Sequence, residues 1–411
     1  MIETLKSVAS LLASYGLLLM ANGLFSTLIG LRARLEGFDE QITGLVMSGY
    51  YVGLLSGAVL APRIVARVGH IRAFATFAPI MSITALAHIM WVNPFGWTLM
   101  RAGSGFCMAG MIMVTESWLN GRTDNRIRGQ VLAMYMITNY FCAGLGQFLL
   151  PLSDPGEFYL FCLVSILLSL ALVPVLMTRA VAPVPKAPER GAFIAVFRAA
   201  PVGIVGAMCN GMLNSSFQSM GPVYAQSVGL SITQISVFMG VATLGGLTLQ
   251  WPMGWLSDRL DRRNLLAAVA WLTAFASVGI LAGTHAGGLL LFVSAAIYGS
   301  VANTLYSLAS AHANDRAEEG ETVKVASAML LAFGIGAILG PLLSGFTMKV
   351  FGPSGLFEQA AVVAVFLGVY AIYRQLRRPV QPEPKPFVAK PTAQYSSGEL
   401  DRAVRENTER K

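Results

Sequence analysis

The chain has 411 residues, 55% apolar and only 12% charged, with a mean hydropathy of +0.62. A soluble globular protein carries about 25% charged residues, so most of this surface does not face water. The formal net charge of +8 does not indicate nucleic-acid binding, because the basic residues come in short bursts between apolar runs, the pattern of membrane orientation.

From the amino terminus, Met1-Ile-Glu-Thr-Leu-Lys6 runs into a long apolar segment with no small-residue cleavage site, so the first segment reads as a retained span. A hydrocarbon core of about 30 Å needs roughly 20 apolar residues in helical form, and helices are required because open sheet edges leave backbone groups unpaired in lipid. Apolar segments fall near 8–31, 42–66, 70–92, 97–119, 128–150 and 158–179, then near 200–224, 231–256, 263–283, 288–311, 323–349 and 355–377. The connections at 93–96 and 284–287 are very short. Cys107, Cys142, Cys162 and Cys209 all lie inside apolar stretches without metal-ligand spacing, so no metal is expected.

With the amino terminus inside, 25 basic residues fall on the inner side, three (Arg32, Arg34, Lys349) on the outer, and Arg101 within a span. That asymmetry predicts cytoplasmic termini. Residues 180–199, with Pro183, Pro185 and Pro188, divide the spans six and six and read as a cytoplasmic linker between bundles at 1–179 and 200–377. The stretch 378–411 reads as a disordered cytoplasmic tail, with a capping box at Ser396 and Glu399.

The halves match in register. Asn22-x-x-Phe25 recurs as Asn214-x-x-Phe217, Gly37 as Gly229 and Arg67 as Arg259, all shifted by 192 residues. Gln41-Ile42 recurs as Gln234-Ile235, shifted by 193, and Asn120-x-Arg122 as Asn314-x-Arg316, shifted by 194. Each match alone is at chance level; five in register indicate an internal repeat with the same direction across the membrane.

The loop after the eighth segment reads Gly254-Trp-Leu-Ser-Asp258-Arg259-Leu-Asp-Arg262-Arg263. It resembles the loop signature of the major facilitator superfamily, Gly-x-x-x-Asp-Arg-x-Gly-Arg-Arg, with Asp261 at the second glycine. The first-half counterpart keeps Arg67 and Gly69 but has Ala66 in place of the acid. Arg101-x-x-x-Gly105 is similar to the family's fourth-span pattern. Together with the Gly69-His70-Ile-Arg72 run, Glu116-Ser-Trp118-Leu-Asn120-Gly-Arg122 looks like a bacterial branch whose members mostly lack an assigned substrate.

The resemblance implies an all-α membrane protein: twelve transmembrane helices in two parallel-related six-helix bundles, in the bacterial inner membrane. It implies secondary transport of a small organic solute by alternating access, export favoured over import, by a monomer that needs no cofactor and is driven by a proton or ion gradient or by the solute's own gradient. A non-transporting receptor or scaffold on the same fold and a lipid flippase are the alternatives. No Walker A, GxSxG or HExxH sequence is present, so an enzyme is not expected. As gating residues the resemblance points to Arg67, Gly69, Glu116, Arg122, Gly254, Asp258, Arg259, Arg262 and Arg263, a carboxylate pairing with arginines at a helix start. Glu116 is expected to pair with an arginine of a neighbouring loop.

Sites in such folds lie near the midplane between the halves. The polar residues expected at that depth are Asn22, Ser26, Tyr135, Asn139, Asn210, Asn214, Gln218, Tyr298 and Asn303, with interhelical hydrogen bonding as their other use. Arg101 either snorkels outward or faces the cavity, where it favours an anionic substrate.

Overall fold

The computed structural model describes residues 2–122, 128–177, 192–317 and 321–377, with side chains for 9–119, 130–177, 193–317, 321 and 323–377. The first run of helices is α1 (Ile2–Leu35), α2 (Glu40–Val68), α3 (His70–Met90), α4 (Pro94–Arg122), α5 (Arg128–Gln147) and α6 (Tyr159–Leu176). The second is α7 (Ala192–Ala199), α8 (Pro201–Ser227), α9 (Ile232–Gly245), α10 (Gln250–Ser257), α11 (Arg262–Ala286), α12 (Leu289–Ala302), α13 (Leu305–Asp315), α14 (Thr322–Phe351) and α15 (Gly355–Arg377). There is no strand among the described residues. The described helices form two compact units, α1–α6 and α7–α15.

The outer surface is apolar as well as the core, and polar side chains are enclosed. Ile83, Leu99, Phe275 and Val362 stand 63–69% exposed, while Asn139, Asn210, Glu116 and Ser14 are fully buried. Such an arrangement is stable only where the solvent is hydrocarbon.

Among the described residues nine helical stretches, counting α9 with α10 and α12 with α13 as one each, are long and apolar enough to cross a membrane, or ten if the bent pair α7–α8 counts as one span. Twelve were expected. The two that fall short, α4 and α5, are helices at the anticipated positions, but Arg101 and Glu116 in α4 and the polar side chains of α5 dilute their apolar content. Residues 192–199, expected as solvated linker, are helical. Pro201 pushes Ala200 out of the helical region (φ −132°, ψ 63°) and the chain turns by 113° there. Residues 180–191, the tail with its Ser396 capping box, and the side chains of Asn120 and Arg122 lie outside the described residues.

The repeat is built into the backbone. Gly37 and Gly229 end α1 and α8 with positive φ (78° and 84°), where only glycine escapes a steric penalty. Phe38 and Leu230 each donate a backbone N–H five residues back, to Ala33 and Ala225, completing the same helix stop. The next helix then starts on a side-chain cap, Asp39 to Ile42 N (2.7 Å) or Ser231 to Gln234 N (3.3 Å), where Gln234 closes a capping box.

The closest helix crossing of the first unit joins α2 to α4. A Cβ on Gly53 would overlap the Ala102 carbonyl, and one on Gly105 would overlap the Tyr50 carbonyl. The second unit repeats this contact: Gly245 lies on Ala296 and Gly299 on Ala242, shifts of 192 to 194 residues. Likewise, in α14 Gly336 lies against Met208 and Gly340 against Met212 of α8. Contact between backbones at small residues replaces the hydrophobic effect, which lipid removes.

Gly53→Ala or Gly105→Ala therefore lowers stability by about 2 kcal/mol or more. Gly103→Ala on the same helix, whose added carbon meets only the Thr84 methyl at 3.9 Å, leaves it nearly unchanged. Thermal unfolding of the three purified variants in one detergent tests this.

Candidate functional site

The loop between α10 and α11 holds a charge cluster centred on Arg262. Asp261 caps α11 by accepting the Arg263 N–H (2.8 Å), and its carboxylate also meets the Arg263 guanidinium (3.4 Å). Arg262, 2% exposed, bridges two carboxylates: Asp315 at the end of α13 (2.7 Å, 9% exposed) and Asp258 at the end of α10 (3.3 Å, 49% exposed). The inner pair is charge-assisted and sheltered; the outer one is longer and wet. Arg259 stacks on the Trp255 ring at 3.8 Å, and Gly254 is buried within α10.

In the first half the positions of Asp258 and Arg262 hold neither a carboxylate nor a guanidinium. Ala66 corresponds to Asp258 and His70 to Arg262. Gly69 turns the chain with φ 87°, and His70 is buried, its Nε2 3.0 Å from Ser117 Oγ and its ring stacked on Trp118. Arg67 is exposed.

Beside Ser117, Glu116 is fully buried. A chain of donors runs to it: Asn139 Nδ2 to Tyr15 Oη (2.6 Å), Tyr15 to Tyr135 Oη (3.1 Å), and Tyr135 to Glu116 Oε1 (2.8 Å). The two phenol rings stack at 4.8 Å. Of the arginines expected to pair with Glu116, the side chains at 122–128 lie outside the described residues, and no ion pair among the described residues joins it to Arg63, Arg67 or Arg72.

Arg101 sits two turns into α4 and is 1% exposed, so it does not snorkel. Its guanidinium carbon lies 4.5 Å from the Tyr50 ring centroid and 5.5 Å from that of Phe25. Nε and Nη1 are buried with no hydrogen-bond partner, and no ion pair among the described residues includes it. Asn22 faces the Tyr50 hydroxyl, with its Oδ1 buried and unpartnered. His88 gives Nδ1–H to the Thr84 carbonyl (2.5 Å), which leaves Nε2 as a buried acceptor without a donor. Ser26, on the next turn of α1 after Asn22, is partly exposed.

In the second unit the α8 stripe meets an interrupted helix. The break between α12 and α13 falls at Asn303–Thr304. Asn210 donates to the Ala302 carbonyl (2.7 Å), Asn214 to Asn303 Oδ1 (2.8 Å), and Gln250 to the Asn303 carbonyl (3.3 Å). The donors of Asn210 and Asn214 thus serve helix packing, while both Oδ1 atoms remain buried without partners. Tyr298 donates to the Leu213 carbonyl (3.2 Å) inside an aromatic cluster with Phe217 and Phe357. Gln218 is 8% exposed.

The structure therefore joins Asn22 with Arg101, Tyr135 and Asn139 with Glu116, and Asn210 and Asn214 with Asn303. Sequence reasoning missed Tyr15, Tyr50, Gln250 and Asp315. Asp315 was findable, since it lies between the repeat-matched Asn314 and Arg316; Tyr50 was findable from the Gly49, Gly53 and Gly57 run beside it.

A helical membrane protein with repeated bundles and buried polar groups at span depth has the architecture of a transporter. The sequence profile of the Major Facilitator Superfamily matches residues 11–317 and 203–403, and the chain belongs to that family of membrane transporters. It is 26% identical over 379 residues to the uncharacterized MFS-type transporter YcaD of Escherichia fergusonii, covering 92% of this chain and 98% of that one. The YcaD of Shigella flexneri is 27% identical over 361 residues, covering 87% and 93%. Among solved structures, a point mutant of the nucleoside transporter NupG superposes with a TM-score of 0.76 at 15% identity, covering 89% of this chain and 99% of that one. A D-xylose-proton symporter superposes with 0.65 at 14% identity, covering 89% and 96%. These two likenesses show the fold. The family consists of transporters and not enzymes.

The two partners of Arg262 contribute unequally. Asp315→Asn leaves a buried guanidinium short of its sheltered counter-ion and costs about 3 kcal/mol. Asp258→Asn costs under about 1 kcal/mol because that carboxylate is half exposed. Equal losses in thermal unfolding of the two variants would contradict the assignment. Tyr135→Phe cuts the donor chain to Glu116 and costs about 1–3 kcal/mol in the same assay.

Proposed function

We propose that this protein is a secondary transporter that moves a small organic solute across the bacterial inner membrane by alternating access, with export favoured. The observation that carries the reading is the pair Asn22 and Asn214. They are equivalent in the repeat, each is 5% exposed, and each keeps a buried Oδ1 without a partner among the described residues. A polar group left open at span depth is costly unless something visits it. Asn22, Ser26, Arg101, Tyr135, Asn139, Asn210, Asn214, Gln218, Tyr298 and Asn303 line the solute's path in the two bundles, which span 1–179 and 200–377. The chain acts as a monomer with both termini cytoplasmic, an orientation supported by its basic loops.

Asp258, Arg259, Arg262 and Arg263 gate the second bundle. Arg262 with Asp315 is the fixed half of the latch, and Asp258 is the half that releases. Arg67, Gly69, Glu116 and Arg122 do the corresponding work in the first bundle, with Ala66 at the position of Asp258. Glu116, buried, and Glu358, exposed, are the acids within the expected spans, and the driving force is an ion gradient or the solute's own gradient.

Reconstituted protein loaded with a mixed metabolite panel tests the reading. Solute movement is expected, slowed about tenfold or more by Asn214→Ala. Asp258→Asn slows it without loss of fold. Ligand binding with no movement of any solute would favour a receptor instead, and movement confined to lipid analogues a flippase.

A further inference from the structure

We propose that Arg101 is a binding site for a carboxylate group of the transported solute. The inference deepens the transporter reading and rests on it. A guanidinium presents five donors in a plane suited to the two oxygens of a carboxylate. Here that plane is walled by the Tyr50 and Phe25 rings, with no carboxylate of the described residues on it and with Nε and Nη1 unpartnered. The groups that face it electrostatically are the phenols of Tyr50 and Tyr51 and the imidazole of His88. None of these is an anion at neutral pH. A buried cation so placed lacks a counter-charge, and aromatic faces offset only part of its desolvation.

The repeat separates this arrangement from architecture. The α2–α4 crossing recurs in the second unit as the contact of α9 with α12, built on Gly245 and Gly299. There the counterpart of Tyr50 is Ala242 and that of Arg101 is Ala295, both buried. The crossing therefore forms without a cation or a phenol. What the first half adds is an anion-binding group between aromatic walls, with the buried acceptors Asn22 Oδ1 and His88 Nε2 in the same cluster. Those acceptors suit a carboxylate that carries a hydroxyl donor.

The test is thermal stabilisation of the purified full chain by acetate, lactate and benzoate, each against its amide and against inorganic phosphate. A ligand of the folded state raises Tm in a dose-dependent way. At least one carboxylate is expected to stabilise while its amide does not. Arg101→Gln is expected to weaken that carboxylate about tenfold or more, with Arg101→Lys intermediate. If Arg101→Gln fails to fold, hydrogen exchange on the wild type replaces it: the carboxylate protects peptides spanning Tyr50 and Arg101 and its amide does not. Equal shifts by acid and amide, a shift by phosphate alone, or a carboxylate effect retained in Arg101→Gln would each overturn the proposal. Liposome transport separates the two readings: movement of only uncharged solutes refutes the carboxylate site and leaves a transporter, whereas carboxylate binding without movement does the reverse.

Discussion

In hydrocarbon a polar group has only the protein itself to bond with, and the rest of the structure depends on this constraint. It leaves apolar side chains such as Ile83 and Phe275 on the outer surface and encloses asparagine, tyrosine and glutamate within an otherwise apolar core. It also explains why the asparagines of α8 reach the carbonyls freed where α12 gives way to α13. Irregular backbone at span depth is tolerated where other helices satisfy it. With no water to expel between helices, their attraction comes from contact, and the tightest crossings are those where glycine lets one backbone touch another.

Against that background the charged residues stand out by how they are satisfied. Arg262 has two carboxylates, Glu116 has a phenol at the end of a donor chain, and Arg101 has only ring faces. The duplicated loops show the same divergence. The second half holds its helix ends with a buried ion pair, the first with a histidine on a serine. The two halves thus share their glycine crossing while they differ in electrostatics.

Much of this was legible in the sequence, because membrane solvent imposes simple rules. Apolar runs gave the helix positions, and the register of Gly37 with Gly229 and Asn22 with Asn214 gave the repeat. The exceptions are instructive. Glycine positions at α2 and α9 were obscured because their partners, Ala102 and Ala296, are ordinary residues whose carbonyls, not side chains, make the contact. The repeat match of Asn314 and Arg316 marked the segment that holds Asp315, but its pairing with Arg262, 53 residues away in sequence, leaves no local pattern. The α7 helix was hidden by the prolines before it. The polar stripe of α8 could be read as a face, but whether that face served packing or an opening required the positions of the carbonyls opposite.

One difference between the halves concerns continuity and not charge. The repeat counterparts of α2 and α4, each an unbroken helix, are α9 with α10 and α12 with α13, both interrupted. The interruptions fall at 246–249 and 303–304, next to the glycine crossing that the two halves share. Interruptions of this kind are where a helix absorbs rotation. The second bundle therefore carries two joints around its crossing, while the first has a seam of continuous rods with Arg101 fixed at its side. If the halves exchange shape during a working cycle, the bending falls to one of them, and the other serves as its anvil.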